Sequence, residues 1–250
     1  MPDTDTDWKK WGRRDPYFGV LSDQRFRRVS IDEHLDEFFD SGTTFIRRRL
    51  SAAEHHLDFN SGEAALDFGC GVGRLTLPLA RRFNRVTAVD ISPGMLAEAQ
   101  RNAKAHDIVN IEFVESDDAL SKVKGCFDFI NSYIVLQHIP VARGMTIIDR
   151  LLDLVLPGGV AALHVSVERR ETASQRLTYL AQRDLPPIRP IVNVLRRRPF
   201  SEPFMQMNKY SLVAILDMAA QKGFGPCLIE PENHGRVLTA NLLCRRSAAN

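Results

Sequence analysis

The stretch from Ala64 to Ala80 constrains this chain most. Ala64 to Phe68 is a short apolar run suited to a buried strand, and Gly69, Gly71 and Gly73 follow at alternate positions before a periodic apolar segment resumes. The pattern predicts a strand, a tight turn and a helix over Leu75 to Phe83. Glycine reaches positive φ without steric cost and leaves the backbone bare, while the start of a helix carries unpaired N–H groups. A small ligand is expected to lie against the turn.

Two chemistries compete for such a turn. A dinucleotide site reads G-x-G-x-x-G, its third glycine serving close helix–strand packing. Here the spacing is G-x-G-x-G, and an acid, Asp67, sits two residues before the first glycine. A carboxylate there disfavours a pyrophosphate and suits a ligand bearing an amino group and a sulfonium. The run Leu66-Asp67-Phe68-Gly69-Cys70-Gly71-Val72-Gly73 resembles the first motif of the class I S-adenosylmethionine-dependent methyltransferases.

Downstream of this motif, strand and helix patterns alternate, which argues for a parallel sheet flanked by helices. Strands are predicted over Val86 to Val89, Ile111 to Val114, Phe127 to Asn131 and the nearly all-apolar Val160 to Val167, whose His164 reads as a hydrogen-bonded core residue. Two final strands, Cys227 to Glu230 and Arg236 to Cys244, are joined by a short turn and so read as antiparallel. The fold expected is an α/β, Rossmann-like doubly wound sheet of seven strands, mostly parallel, with a C-terminal antiparallel hairpin and helices on both faces. The methyltransferase domain is placed at residues 61–250.

Ahead of it, residues 1–60 read as an N-terminal lid with helices. An acidic tip leads into an aromatic stretch holding Trp8, Trp11, Tyr17 and Phe18, which must pack on something. A capped helix is predicted over Ser30 to Phe39, stopped by Ser41-Gly42, and a second over Thr44 to His56 with Arg47, Arg48 and Arg49 on a solvated face. Within the larger domain, residues 168–208 break the rhythm. That stretch is proline-rich and holds eight arginines against three acids between Arg169 and Pro203. It follows the fifth strand at the ligand end of the sheet, so it reads as a substrate-facing cap. Arg196, Arg197 and Arg198 suit pairing with phosphate or carboxylate, or peripheral contact with an anionic surface.

Asp90 closes the second strand 23 positions after Asp67, where a carboxylate holds the ribose hydroxyls of a nucleoside ligand. The resemblance implies S-adenosylmethionine as cofactor and a binding set of Asp67, Gly69, Gly71, Gly73, Asp90, Ile91, Met95, Asp117, Asp118, Ala119, Ser132, Tyr133 and Gln137. Val135 to Pro140 resembles a segment of small-molecule members of the family. His138 and His234 are the candidate bases for removing a proton from a hydroxyl nucleophile.

The chain lacks the Asn-Pro-Pro-aromatic run of nucleic-acid amino methylases and has no aromatic–basic interleaving, so a small-molecule substrate is expected and no nucleic acid. No metal-ligand spacing appears, and adjacent His55 and His56 would diverge on a helix. A formal net charge of +2 and 44% hydrophobic residues place the chain among ordinary globular proteins. Four separated cysteines without a C-x-x-C pair, an acidic N-terminus without an apolar core and the lack of a long apolar run predict a reduced, cytoplasmic protein without a transmembrane segment. The alternatives are a nicotinamide-dependent oxidoreductase on a Rossmann sheet and a non-catalytic cofactor-binding scaffold.

Overall fold

The computed structural model describes residues 4–60 and 62–248. Its sheet has seven strands: β1 (Ala64–Phe68), β2 (Arg85–Asp90), β3 (Ile111–Glu115), β4 (Phe127–Ser132), β5 (Val155–Arg169), β6 (Phe224–His234) and β7 (Val237–Arg246), in the order β3-β2-β1-β4-β5-β7-β6. β1 to β5 are mutually parallel, whereas β7 runs antiparallel to both β5 and β6. The expected sheet and C-terminal hairpin are present. Strand order reverses between β1 and β4, and in open α/β sheets ligands settle beyond the strand ends at that point.

All five residues of β1 are buried because helices cover both faces. Leu66, Ile130 and Leu163 point to one apolar cluster, filled by Ile147, Ile148, Leu151 and Leu152 of α6 (Val141–Asp153). The alternate residues Ala65, Phe129 and Ala162 point to the other, filled by Ile46, Leu50, Ala53 and Leu57 of α3 (Leu35–Leu57). The period of two in the strands thus meets the three-and-four spacing of the helices. Around this core stand α1 (Thr4–Arg14), α2 (Pro16–Val20), α4 (Thr76–Ala80), α5 (Pro93–Ala105), α7 (Ala173–Asp184), α8 (Arg189–Leu195) and α9 (Leu212–Gln221).

Several local expectations are corrected. Of the acidic tip, Met1 to Asp3 lie outside the described residues, and from Thr4 onward the aromatic stretch is helical. Ser30 accepts no bond from a helix N–H. Its hydroxyl lies within hydrogen-bond distance of the carbonyls of Gln24, Arg25 and Arg27 and donates its one proton among them, and a 3₁₀ turn leads into one 23-residue helix through Gly42. Gly42 is a packing residue rather than a stop, since a Cβ there would overlap the Arg74 carbonyl oxygen. Arg49 is buried, its guanidinium donating to Asn241 Oδ1 at 2.5 Å, while Arg47 and Arg48 are exposed. The helix after the glycine turn is only five residues long, and β5 already begins at Val155. The stretch 168–208 carries α7 and α8 rather than a structureless loop. Cys227 and Cys244 are joined by a disulfide, being register partners across β6 and β7, a proximity that their separation of 17 residues conceals. No helix of the described residues is long and apolar enough to cross a membrane.

Replacing a mid-helix glycine with alanine ordinarily stabilises by roughly 1 kcal/mol. For Gly42→Ala the overlap with Arg74 dominates, and a net loss of about 1–3 kcal/mol is expected, read from the urea unfolding midpoint. A midpoint at or above wild type would show that α3 and the glycine turn are not in the close contact described.

Candidate active site

The glycine turn takes its conformation from three positive φ angles, 75° at Gly69, 55° at Gly71 and 90° at Gly73. Its N–H groups are turned inward. Those of Gly69 and Cys70 donate to the Val89 carbonyl, that of Gly73 to the Cys70 carbonyl, and that of Gly71 to Asp90 Oδ2 at 2.9 Å. These donors are therefore not offered to a phosphate, and the turn presents a bare carbon surface. Asp67 lies beneath it, buried, with Oδ1 accepting from Asn131 Nδ2 at 2.8 Å and Oδ2 from Thr76 Oγ1 at 2.6 Å. Burial raises its carboxyl above the ordinary range while these two donors oppose that rise.

A first cavity, of about 790 Å³ including its open mouth, lies over the turn. Its walls include Gly69, Gly71, Asp90, Ile91, Met95, Ser116, Asp118, Tyr133 and Val135. A Cβ at Gly69 would overlap Val135, and one at Gly71 would press on Val20 of the N-terminal segment. Asp90 accepts one N–H at each oxygen, from Gly71 and from Ser92, both at 2.9 Å. Each oxygen keeps a lone pair for a further donor. Burial pushes the Asp90 carboxyl up to about 6 against the pull of those N–H groups. A carboxylate able to take two hydroxyls, bare glycine backbone and the apolar walls of Phe68, Ile91 and Met95 fit a nucleoside with a vicinal diol.

The N-terminal helix roofs this cavity. Thr4, Asp5 and Trp8 line it, and the Trp8 ring lies 5.0 Å from that of His138. Arg143 of α6 holds the roof by pairing with Asp5 at 3.1 Å and Asp118 at 2.6 Å.

A second, larger cavity adjoins the first and shares Gly19, Val20, Tyr133, Ile134 and His138 with it. Gln137, His164, His234 and Thr239 contribute to its walls, and six arginines, Arg14, Arg27, Arg28, Arg196, Arg197 and Arg198, stand there against Asp15 and Glu202. At the junction His138 is buried. Its Nδ1 lies 2.6 Å from the Gln206 carbonyl, which can only accept, so the proton sits on Nδ1 and the lone pair on Nε2. The Gln137 amide nitrogen is 3.3 Å from that Nε2. Burial pushes the His138 pKa down to about 4, so the ring is neutral near pH 7. Burial and the Glu232 carboxylate push the Tyr133 phenol up to about 12.

His164, Glu232 and His234 each bring one ligating atom within 4.8 Å of the others. The Ile134 N–H donates to His164 Nδ1 at 3.3 Å, which leaves the ring proton on Nε2. That nitrogen is buried with no partner among the described residues. A metal-bound histidine donates its second nitrogen's proton, the reverse of this arrangement, and Arg49 adds positive charge nearby. The cluster suits donation to an oxygen better than cation binding.

Of the residues singled out from sequence, Gly69, Gly71, Asp90, Ile91, Met95, Asp118, Tyr133 and His138 meet at the first cavity. Gln137, His138, Tyr133 and His234 meet at the second. Asp67, Gly73 and Ser132 line neither cavity, and of these Asp67 ties the floor together through Asn131 and Thr76. Asp117 is turned away, closing a turn by accepting from the Ser121 N–H at 2.9 Å, and Ala119 lines neither cavity. Arg143 gave no signal because its partners lie 138 and 25 residues away. His164 was legible as a buried histidine, but its free Nε2 was not.

Residues 65–159 match the family model described as a methyltransferase domain. The chain is 30% identical to the mitochondrial ubiquinone biosynthesis O-methyltransferase of Schizosaccharomyces pombe over 161 residues, 56% of this chain and 57% of that protein. It is 33% identical to a 23S rRNA (uracil(1939)-C(5))-methyltransferase of Haemophilus parainfluenzae over 90 residues, 36% of this chain and 20% of that one. With the trans-aconitate 2-methyltransferase of Deinococcus radiodurans it shares 33% identity over 118 residues, 46% of this chain and 43% of that protein. The chain thus spans little more than half the length of these curated relatives at most. Its fold resembles magnesium protoporphyrin IX methyltransferase from Synechocystis PCC 6803, solved with bound S-adenosylhomocysteine, with a TM-score of 0.61 and 20% identity over 98% of this chain and all of that one. Residues 65–159, which hold the glycine turn, thus match a methyltransferase domain, and the fold around them is that of a solved methyltransferase.

Proposed function

We propose that this protein transfers the methyl group of S-adenosylmethionine to a hydroxyl oxygen of a small-molecule acceptor, a glycan, lipid-linked or anionic metabolite. The observation that carries the reading is the junction of two cavities at Tyr133, Ile134 and His138, one fitted to a nucleoside and the other rimmed with arginine. Two relatives, an O-methyltransferase of ubiquinone biosynthesis and a trans-aconitate methyltransferase, support a small-molecule acceptor.

When bound, S-adenosylmethionine supplies a methyl carbon activated by a sulfonium. Gly69 and Gly71 would give it a bare surface, Asp90 would hold its ribose hydroxyls, and Ile91, Met95, Ser116 and Asp118 are the wall residues left for its base. Asp67 acts through the floor rather than by contact. His138 takes the acceptor's hydroxyl proton on Nε2, its Nδ1–H staying on the Gln206 carbonyl. His234, beside Glu232 at 3.4 Å, is the second candidate base. The N-terminal segment acts as a lid and residues 168–208 as a cap, and together they exclude water from the junction.

S-adenosylhomocysteine at millimolar concentration should raise the melting temperature of the wild type in a concentration-dependent way, and NAD should not. Asp90→Ala should abolish that shift. A shift with NAD alone would favour the oxidoreductase instead.

Asp90 also carries a pH signature. Its folded value of about 6 lies above that of an unfolded carboxyl, about 3.9, so the contribution of Asp90 to the stability of the ligand-free protein is full below pH 4 and is lost as pH rises through 6. Asp90→Asn removes this decline, so its melting temperature should gain on wild type between pH 4 and 7. A constant difference across that range would contradict the buried carboxylate.

For an acceptor found by screening hydroxylated small molecules for S-adenosylhomocysteine release, His138→Gln should lower kcat by about 10²- to 10⁴-fold. The S-adenosylhomocysteine thermal shift should remain. An unchanged kcat would remove His138 as the base.

A further inference from the structure

We propose that the outer face of α7 and α8 docks on an anionic lipid bilayer, placing the mouth of the second cavity at the membrane surface. Among the described residues, eleven large apolar side chains are exposed, and six of them, Leu177, Leu185, Ile191, Val194, Leu195 and Phe200, fall within 24 consecutive positions. Each of the six is at least 56% exposed. The other five, from Val29 to Ile229, are scattered through the chain, as single surface apolar residues ordinarily are.

The orientation of α8 is fixed from inside. Asn193 is buried, and its amide donates to the carbonyls of Phe200 at 3.3 Å and Glu202 at 3.0 Å. With that side tied down, Ile191, Val194 and Leu195, spaced three and four apart, share the outward face. Arg196, Arg197 and Arg198 follow at once, all exposed. Among the described residues, only Arg198 of the three faces a carboxylate, Glu202 at 3.7 Å, whereas Arg196 donates to the Gln182 amide oxygen at 3.4 Å. Apolar side chains beside under-neutralised arginines are what an interfacial segment needs: the apolar groups enter the headgroup boundary and the guanidinium groups meet lipid phosphates. The partner is therefore negatively charged and has an apolar interior, which a soluble polyanion lacks. The same three arginines line the second cavity, so an acceptor carried in the lipid interface would meet that cavity's entrance.

Co-sedimentation with vesicles tests this on the full chain. Wild type should pellet with vesicles of phosphatidylcholine containing about one-third phosphatidylglycerol, and not with phosphatidylcholine alone, and high salt should release it. The charge variant R196Q/R197Q/R198Q should bind anionic vesicles about a hundredfold more weakly, at roughly fivefold per arginine. The apolar variant I191S/V194S/L195S should also bind at least about tenfold more weakly. Far-UV circular dichroism and melting temperature check that both variants fold, and the wild-type result stands without them. Failure of wild type to pellet with anionic vesicles overturns the proposal. So does undiminished binding by the folded apolar variant, which would mark a general polyanion patch, or undiminished binding by the folded charge variant. None of these readouts involves methyl transfer, so the outcome is independent of the function proposed above.

Discussion

The carboxylate of Asp67 is the hub on which the ligand end of the sheet depends. It sits where strand order reverses, opposite Asn131 in the register of β1 and β4, and binds Asn131 on one side and Thr76 at the start of α4 on the other. Three pieces of chain are thereby held in fixed relation: the end of β1, the end of β4 and the turn between β1 and α4. The glycine turn can then spend its own N–H groups on the Val89 carbonyl and Asp90 without losing its position. A buried carboxylate with fewer donors would be costly, and these two neutral donors offset part of that cost.

From this hub the rest of the site is built by contacts between distant segments. The N-terminal segment and the stretch 168–208 hold one another: Asp7 pairs with Arg189 at 3.0 Å, and Arg27 bridges Asp15 at 3.2 Å and Glu202 at 3.0 Å. The Arg27 guanidinium also lies 3.3 Å over the Phe18 ring. The Asp7–Arg189 pair is largely buried, so loss of one member would leave an uncompensated charge. The N-terminal segment and the stretch 168–208 are thus tied together across sequence separations of 182 and 175 residues.

The sheet, its strand directions and the cavity over the glycine turn were legible because they follow from short-range periodicity and from the spacing of Asp67, three glycines and Asp90. What was not legible depended on partners far along the chain. Gly42 has the local form of a helix stop, yet α3 continues because the glycine fits against Arg74. The arginine triplet at residues 47–49 reads as one solvated face, but successive residues on a helix point about 100° apart, so Arg49 turns inward to Asn241. The acids after β3 could not be told apart by composition. Arg143 draws Asp118 to the cavity wall, while Ser121 draws Asp117 away from it. Cys227 and Cys244 likewise meet only through antiparallel register.

Ile134 holds a positive φ of 59° at the junction of the cavities, and its N–H fixes the tautomer of His164. Burial and the nearby Arg49 charge push the His164 pKa down to about 3. The imidazole there is thus a permanent neutral hydrogen-bond donor, its N–H as constant as that of an amide. That wall therefore presents the same donor across the physiological pH range, although histidine is the side chain most often used to sense acidity.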